Sequence, residues 1–447
     1  MTTALPRKLG LPDALAIVVG MIIGGGIFLV PNLVARNLTS SASILGVWSF
    51  AGVASLIGAL ACAELGAAMP HTGGQYVYLR EAYGPFAGFL FGWTMFAVGR
   101  TAQASWLAVT FALYVSYFVP LSPVESKLLG VAAIALIAGV NYRGVRAGAL
   151  VQKSFTLAKV AGLAIIIIGG LAYRGHPAAA ASGASVPFSF TQAGVALIAC
   201  LVAFDSWVSV SFVAGEIKNP GRNILLAMVL GVGACIAIYL LANAAYLRVL
   251  SIPEIAASEH VGASAAERAL GPAGGTLVSL IILVSIIGTL NGCFLTSPRI
   301  YFAQARDGLF FARFGEVHPR FSTPGFAIAA QAVWAVALLL SGTYESLIDY
   351  AMFALWVFYG LTIFAVIRLR RLQPNLERPY RMWGYPATPL LFVALAIWFL
   401  GNMLVTRPEP SLAGLALIAT GIPVYFFWRK SARHGSLQKR KSVLRSG

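Results

Sequence analysis

Two apolar stretches of the chain are broken by residues that hydrocarbon-soluble helices avoid. Val18-Val19-Gly20-Met21-Ile22-Ile23-Gly24-Gly25-Gly26-Ile27-Phe28 carries three consecutive glycines, each costing a helix roughly 1 kcal/mol relative to alanine. Cys200-Leu201-Val202-Ala203-Phe204-Asp205-Ser206-Trp207 carries a carboxylate. A helix interrupted at such points leaves backbone N–H and C=O groups unpaired, and lipid cannot pair them. They persist only where they line a polar interior, and there they are free to bind. A half-helix starting after Gly26 offers N–H groups and a positive dipole end to an anion. Without Cβ atoms, Gly24, Gly25 and Gly26 let that anion approach the backbone. The carbonyls of Met21, Ile22 and Ile23, with those of Val202, Ala203 and Asp205, suit a cation. Close helix packing is the competing use of the glycines; the second break favours binding.

The elements that must hold these breaks are membrane helices. Of 447 residues, 59% are hydrophobic and only 11% charged, with mean hydropathy +0.81, against about 25% charged in soluble domains. A span needs about 20 apolar residues. On that criterion about twelve are expected, near 11–35, 43–68, 86–118, 127–140, 148–173, 191–214, 223–248, 274–304, 326–341, 346–367, 387–405 and 411–428. The first is no cleaved signal peptide, because Asp13 and the glycines sit within it and no small-residue cleavage site ends it. The net charge of +17 does not point to nucleic acid. With a cytoplasmic N-terminus, about 24 of the 32 Lys and Arg fall on the cytoplasmic side, as the positive-inside rule requires. Both termini are therefore expected in the cytoplasm, in a cell (inner or plasma) membrane. The basic run Arg429–Arg445 reads as topogenic charge or attraction to anionic lipid.

If spans one to five repeat as six to ten, an odd number per repeat inverts the second copy. A binding site then lies between the broken helices near the midplane. The expected organisation is an N-terminal tail over 1–10, a first five-helix repeat over 11–173, a second inverted one over 191–370, helices eleven and twelve over 386–428, and a basic tail over 429–447. Cys62, Cys200, Cys235 and Cys293 all fall in spans without metal spacing and read as small packing residues. His71, His176, His260, His318 and His434 fall in loops or tails. No nucleophile–base pair or metal spacing suggests an enzyme or a cofactor.

The motifs also carry a family likeness. Ile22-Ile23-Gly24-Gly25-Gly26-Ile27-Phe28-Leu29-Val30-Pro31 resembles the first-helix motif of the amino acid–polyamine–organocation superfamily, and within it the L-type amino acid transporter group, which usually has Gly-Ser-Gly here. Ala203-Phe204-Asp205-Ser206-Trp207, with Gly215-Glu216-Ile217-Lys218-Asn219-Pro220-Gly221-Arg222-Asn223, looks like that group's sixth helix and following loop. Gly288-Thr289-Leu290-Asn291-Gly292, Ser297-Pro298-Arg299 and Ala305-Arg306-Asp307-Gly308 match its eighth helix, followed by His318-Pro319 and Thr323-Pro324. Arg378-Pro379-Tyr380-Arg381 and Gly384-Tyr385-Pro386 resemble the loop before its eleventh helix. The resemblance implies an all-α LeuT-type fold, a five-plus-five inverted repeat with first and sixth helices broken. It also implies sodium-independent amino acid transport by alternating access, through exchange or proton coupling. Animal members carry a cysteine between the third and fourth spans that links a glycoprotein partner. Val119-Pro120-Leu121-Ser122-Pro123-Val124-Glu125 has none, so no disulfide-linked heavy subunit is expected.

On this reading the substrate contacts Met21, Ile22, Ile23, Gly24, Gly25, Gly26, Val202, Ala203, Phe204 and Asp205. Phe204 and Trp207 are candidate gates, and Val202 stands with a small side chain where the family has its gating residue. Lys159, in the fifth span, is costly at membrane depth and so a functional hypothesis. Relatives working without sodium resemble this chain in placing a lysine there, its ammonium taking the place of a sodium ion. It is expected to tether the first broken helix to the fifth span, and burial of its charge leaves proton coupling open. Asp205 has three open roles: reading a cationic side chain, binding the α-ammonium, or pairing with Arg100 or Lys159. Neutral amino acids are the expected cargo, and the first of these roles makes cationic amino acids or polyamines the alternative. Glu64, Asp13 and Glu216 lie near span ends, where solvated or cytoplasmic-gate roles are expected. Arg100 is expected to be paired within the bundle, and Asn291 either faces the cavity or bonds between helices. An ion channel or a transceptor is a reading from another class, though nothing here resembles a selectivity filter.

Overall fold

A surface of apolar side chains around a polar interior marks the architecture. Leu157 is 72% exposed, Ile397 67% and Val405 83%, whereas Arg100, Lys159, Glu216 and Arg299 are buried. Water would penalise so much exposed apolar surface, and lipid does not. The computed structural model describes residues 5–116, 118–175, 189–342 and 344–443. Most of the Arg174–Phe190 connection and the side chains of the basic tail lie outside the described residues.

The described structure is helical, its sole extended pairing a bridge between Leu9 and Ile217. Among the described residues, ten helices are long and apolar enough to cross a membrane, two fewer than the sequence suggests. The expected ninth span is a 17-residue apolar helix, Gly325–Ser341, about 25 Å long against a core of about 30 Å. The expected third span divides into Pro85–Thr94, a π-helical turn Met95–Gly99 and Arg100–Ser116. Such turns recur at functional sites.

Local chemistry sets the helix starts. Ser122 and Glu125 cap one another's N–H groups ahead of Pro123, and Asp13 accepts from the Gly10 N–H at 2.7 Å. Both breaks are present. The first helix runs Leu11–Ile22, opens, and resumes as Gly26–Asn37. The second runs Phe190–Ala203, turns at 204–206, and continues as a 3₁₀ helix, Trp207–Glu216. Ser206 holds a left-handed φ of 76°, costing a non-glycine residue roughly 1–2 kcal/mol.

Asn32, on the second half of the first broken helix, holds an adjoining segment by donating to the carbonyls of Ala256 at 2.9 Å and Ser258 at 2.6 Å. Within that segment Arg268 donates to Glu254 at 2.7 Å, as does the Ser251 N–H. The Arg268 hydrogen bond, helped by Ser251, pulls the Glu254 carboxyl down to about 2. A depressed folded-state value gives a contribution present above the ordinary carboxylate range and lost as pH falls through about 2. The exposed pair is screened, so the effect on stability is small. Carboxyl NMR should place the Glu254 midpoint near 2, and higher in Arg268→Gln; an unmoved midpoint would rule out the pair as its cause.

Candidate functional site

The two breaks face a cavity of about 260 Å3, just below the ~300 Å3 at which ligand pockets start. Of the residues expected at the site, Met21, Ile22, Gly24, Gly25, Gly26, Val202, Ala203 and Asp205 line it. Gly26 touches the other break: a Cβ there would lie 3.1 Å from the Ala203 Cα. Gly24 and Gly25 are different. A Cβ on either would meet only the Thr289 hydroxyl at 3.6 Å or the Leu29 side chain at 3.8 Å. One glycine of the three thus serves helix packing, and two keep backbone open to the cavity. The half-helix Gly26–Asn37 begins at this wall, where its first N–H groups have no intrahelical partners.

Ile23 and Phe204 do not line the cavity. The Ile23 carbonyl turns outward to Lys159, whose Nζ donates to it at 2.7 Å, to Gly20 O at 2.9 Å and to Ser285 O at 3.1 Å. Lys159 is wholly buried, as a tether of the first break to the Val145–Ala172 helix requires. The Ser285 hydroxyl also donates to Ile23 O at 3.0 Å, so that carbonyl has no lone pair left for a ligand. Phe204 packs instead on Tyr239, ring centroids 4.8 Å apart, and Trp48 meets the same tyrosine at 5.4 Å. The Tyr239 hydroxyl lies 2.8 Å from Ile22 O and 3.2 Å from Ala203 O, one carbonyl from each break. Trp207 packs on Tyr359 at 5.2 Å and Phe392 at 6.2 Å. Neither expected gate stands on the wall; among the described residues the aromatic that does is Trp106.

Asp205 pairs with Arg100, not with Lys159. Its Oδ2 lies 3.9 Å from Arg100 Nη1 and accepts from the Ser206 hydroxyl at 2.9 Å. Its Oδ1 accepts from the Tyr359 hydroxyl at 2.6 Å. Asn291 is off the cavity, donating to Gln152 Oε1 at 2.8 Å and Gly148 O at 3.0 Å. The span-end acids include two that are not solvated. Glu216 is fully buried against Arg299, and Glu64, 1% exposed, meets Arg370 at 2.6 Å; only Asp13, paired with the half-exposed Lys153, stays near water. Apolar sequence near a span end does not reveal which acids have an arginine across the bundle.

Sequence reasoning missed Gln103, Trp106, Leu107, Ser206, Thr289, Met352 and Leu355 on the wall. One signal was available: Arg100, Gln103 and Leu107 recur at helical spacing on one face. Among the described residues, no group of three His, Cys, Asp or Glu could hold a metal.

A lipid-facing helical bundle with paired interrupted helices around a ligand-sized cavity defines a multi-pass membrane transport protein. The chain belongs to the amino acid permease family, whose model matches residues 9–427. It is 35% identical to the serine/threonine exchanger SteT of Bacillus subtilis (strain 168), over 95% of this chain and 98% of that one. The human b(0,+)-type amino acid transporter 1 is 34% identical, over 96% of this chain and 89% of its own. The human large neutral amino acids transporter small subunit 2 is 32% identical, over 95% and 82%. The chain is thus an amino acid transporter of the superfamily its motifs resemble, and not an enzyme.

Proposed function

We propose that this protein exchanges neutral amino acids across a cell membrane by alternating access, without sodium. Its helices would follow the five-plus-five inverted repeat, with two more after it and both termini in the cytoplasm. The observation that carries the reading is Lys159 with its ammonium against the carbonyls of Gly20, Ile23 and Ser285. A fixed protein charge there supplies what a bound cation would otherwise supply. The substrate carboxylate would meet the N–H groups opening Gly26–Asn37. The mainly apolar wall of Leu29, Trp106, Leu107, Met352 and Leu355 favours an uncharged side chain. Exchange rather than proton coupling is supported by the likeness to a serine/threonine exchanger over nearly the whole chain. A cationic cargo is the second reading, favoured by Asp205 on the wall. Burial of all four cysteines supports the absence of a disulfide-linked partner.

Uptake of labelled amino acids into proteoliposomes tests this. Neutral amino acid uptake should require amino acid inside the vesicles and be unchanged when choline replaces sodium. Uptake into empty vesicles driven by a pH gradient would replace exchange with proton symport, and a strict sodium requirement would remove the role given to Lys159.

A further inference from the structure

We propose that Arg100 sets the charge specificity of the cavity: it balances Asp205, so the wall presents no net charge to a substrate's side chain. The inference deepens the exchange reading above and rests on it. Arg100 follows the π-helical turn Met95–Gly99, its own N–H closing onto Met95 O. Its side chain is 1% exposed and does not line the cavity. It stands directly behind residues that do. Nη1 donates to Gln103 Oε1 at 2.7 Å and to the Ser206 hydroxyl at 3.0 Å. That hydroxyl in turn donates to Asp205 Oδ2, so Ser206 joins the two charges. Gln103, Ser206 and Asp205 all belong to the wall.

The rest of the guanidinium has little else to hold it. Nε and Nη2 have no hydrogen-bond partner among the described residues, and the Phe212 ring lies 5.8 Å away. A cation so poorly satisfied stays buried because a carboxylate lies beside it. The carboxylate is affected equally. A second cation approaching Asp205 from the cavity would be repelled by Arg100 over nearly the distance at which Asp205 attracts it. A dipolar or apolar side chain meets no such penalty. Asp205 alone would make this cavity a receptor for cationic side chains; Asp205 with Arg100 makes it neutral.

The test compares side chains of matched shape, lysine against norleucine and glutamate against glutamine, in proteoliposomes. Wild type should move norleucine and glutamine and exclude lysine and glutamate. Arg100→Gln should raise lysine uptake relative to norleucine on the order of tenfold or more. Arg100→Lys, which keeps the charge, should keep lysine excluded. Asp205→Asn leaves the opposite imbalance, so glutamate should gain on glutamine, and the double variant should restore neutral selectivity. Lysine uptake by wild type matching norleucine overturns the inference, as does a folded Arg100→Gln that still excludes lysine. If Arg100→Gln does not fold, Asp205→Asn decides, and no gain of glutamate there overturns it. A wild type that moves no amino acid overturns the exchange reading itself, an outcome distinct from a loss of selectivity.

Discussion

Replacing Lys159 with methionine is expected to abolish amino acid uptake, by about a hundredfold or more, in a protein that still folds. Methionine keeps most of the side chain's length and removes its charge. Each charged hydrogen bond lost is worth about 1.5–3 kcal/mol, and Lys159 makes three to backbone carbonyls. Those carbonyls are not orphaned by the change. The Thr289 hydroxyl lies 3.3 Å from Gly20 O, and the Ser285 hydroxyl still reaches Ile23 O. What disappears is the cross-tie that fixes the unwound segment against the Val145–Ala172 helix. The geometry of the cavity should therefore suffer before the fold does. The check is uptake beside size-exclusion elution. Normal uptake by Lys159→Met would reduce the lysine to packing, and an aggregated protein with no uptake would make it structural.

Glu216→Gln should be the most damaging single change to stability outside the cavity. Glu216 and Arg299 are both fully buried, with Nε to Oε1 at 2.7 Å and Nη2 to Oε2 at 3.3 Å. Arg299 Nη1 has no hydrogen-bond partner among the described residues. Removing one partner of a buried pair costs about 3–5 kcal/mol, because the other charge is left uncompensated, against a total stability of about 5–15 kcal/mol for a typical protein. A large drop in melting temperature and in yield is expected in detergent. The double variant Glu216→Met, Arg299→Met should recover much of that loss, since it strands no charge. Equal melting of Glu216→Gln and wild type would show that the pair carries no such burden.

The breaks were legible in the sequence because they contradict their surroundings. Three glycines in Val18–Phe28 and one carboxylate in Cys200–Trp207 make no sense in a lipid-facing helix, and both sites do interrupt helices. Lys159 stood out for the same reason of cost. The wall itself was less legible. Gln103, Trp106, Thr289 and Met352 face the cavity because of how their helices are rotated in the bundle, and apolar spans carry little amphipathic pattern to announce that rotation. The partner of Asp205 was open among alternatives, since residues 100 and 205 are distant in the chain and meet only in the packed bundle. Phe204, expected beside the substrate, packs off the cavity wall, because an aromatic beside a break packs equally well away from a ligand. Here Tyr239 provides that other surface.

Tyr239 also links the two breaks to each other. Its hydroxyl has one proton and lies between two carbonyls, Ile22 O and Ala203 O. While the breaks stay together, that proton serves both by small rotations. A rearrangement that separated them would leave it to one: Ile22 O would keep the Gly24 N–H at 2.9 Å, whereas Ala203 O would lose this donor. Hydrocarbon offers no replacement, so another protein group or water would have to supply it. The hydroxyl thus works like a clutch, engaging both hinges through one proton only while the two carbonyls stay within its reach.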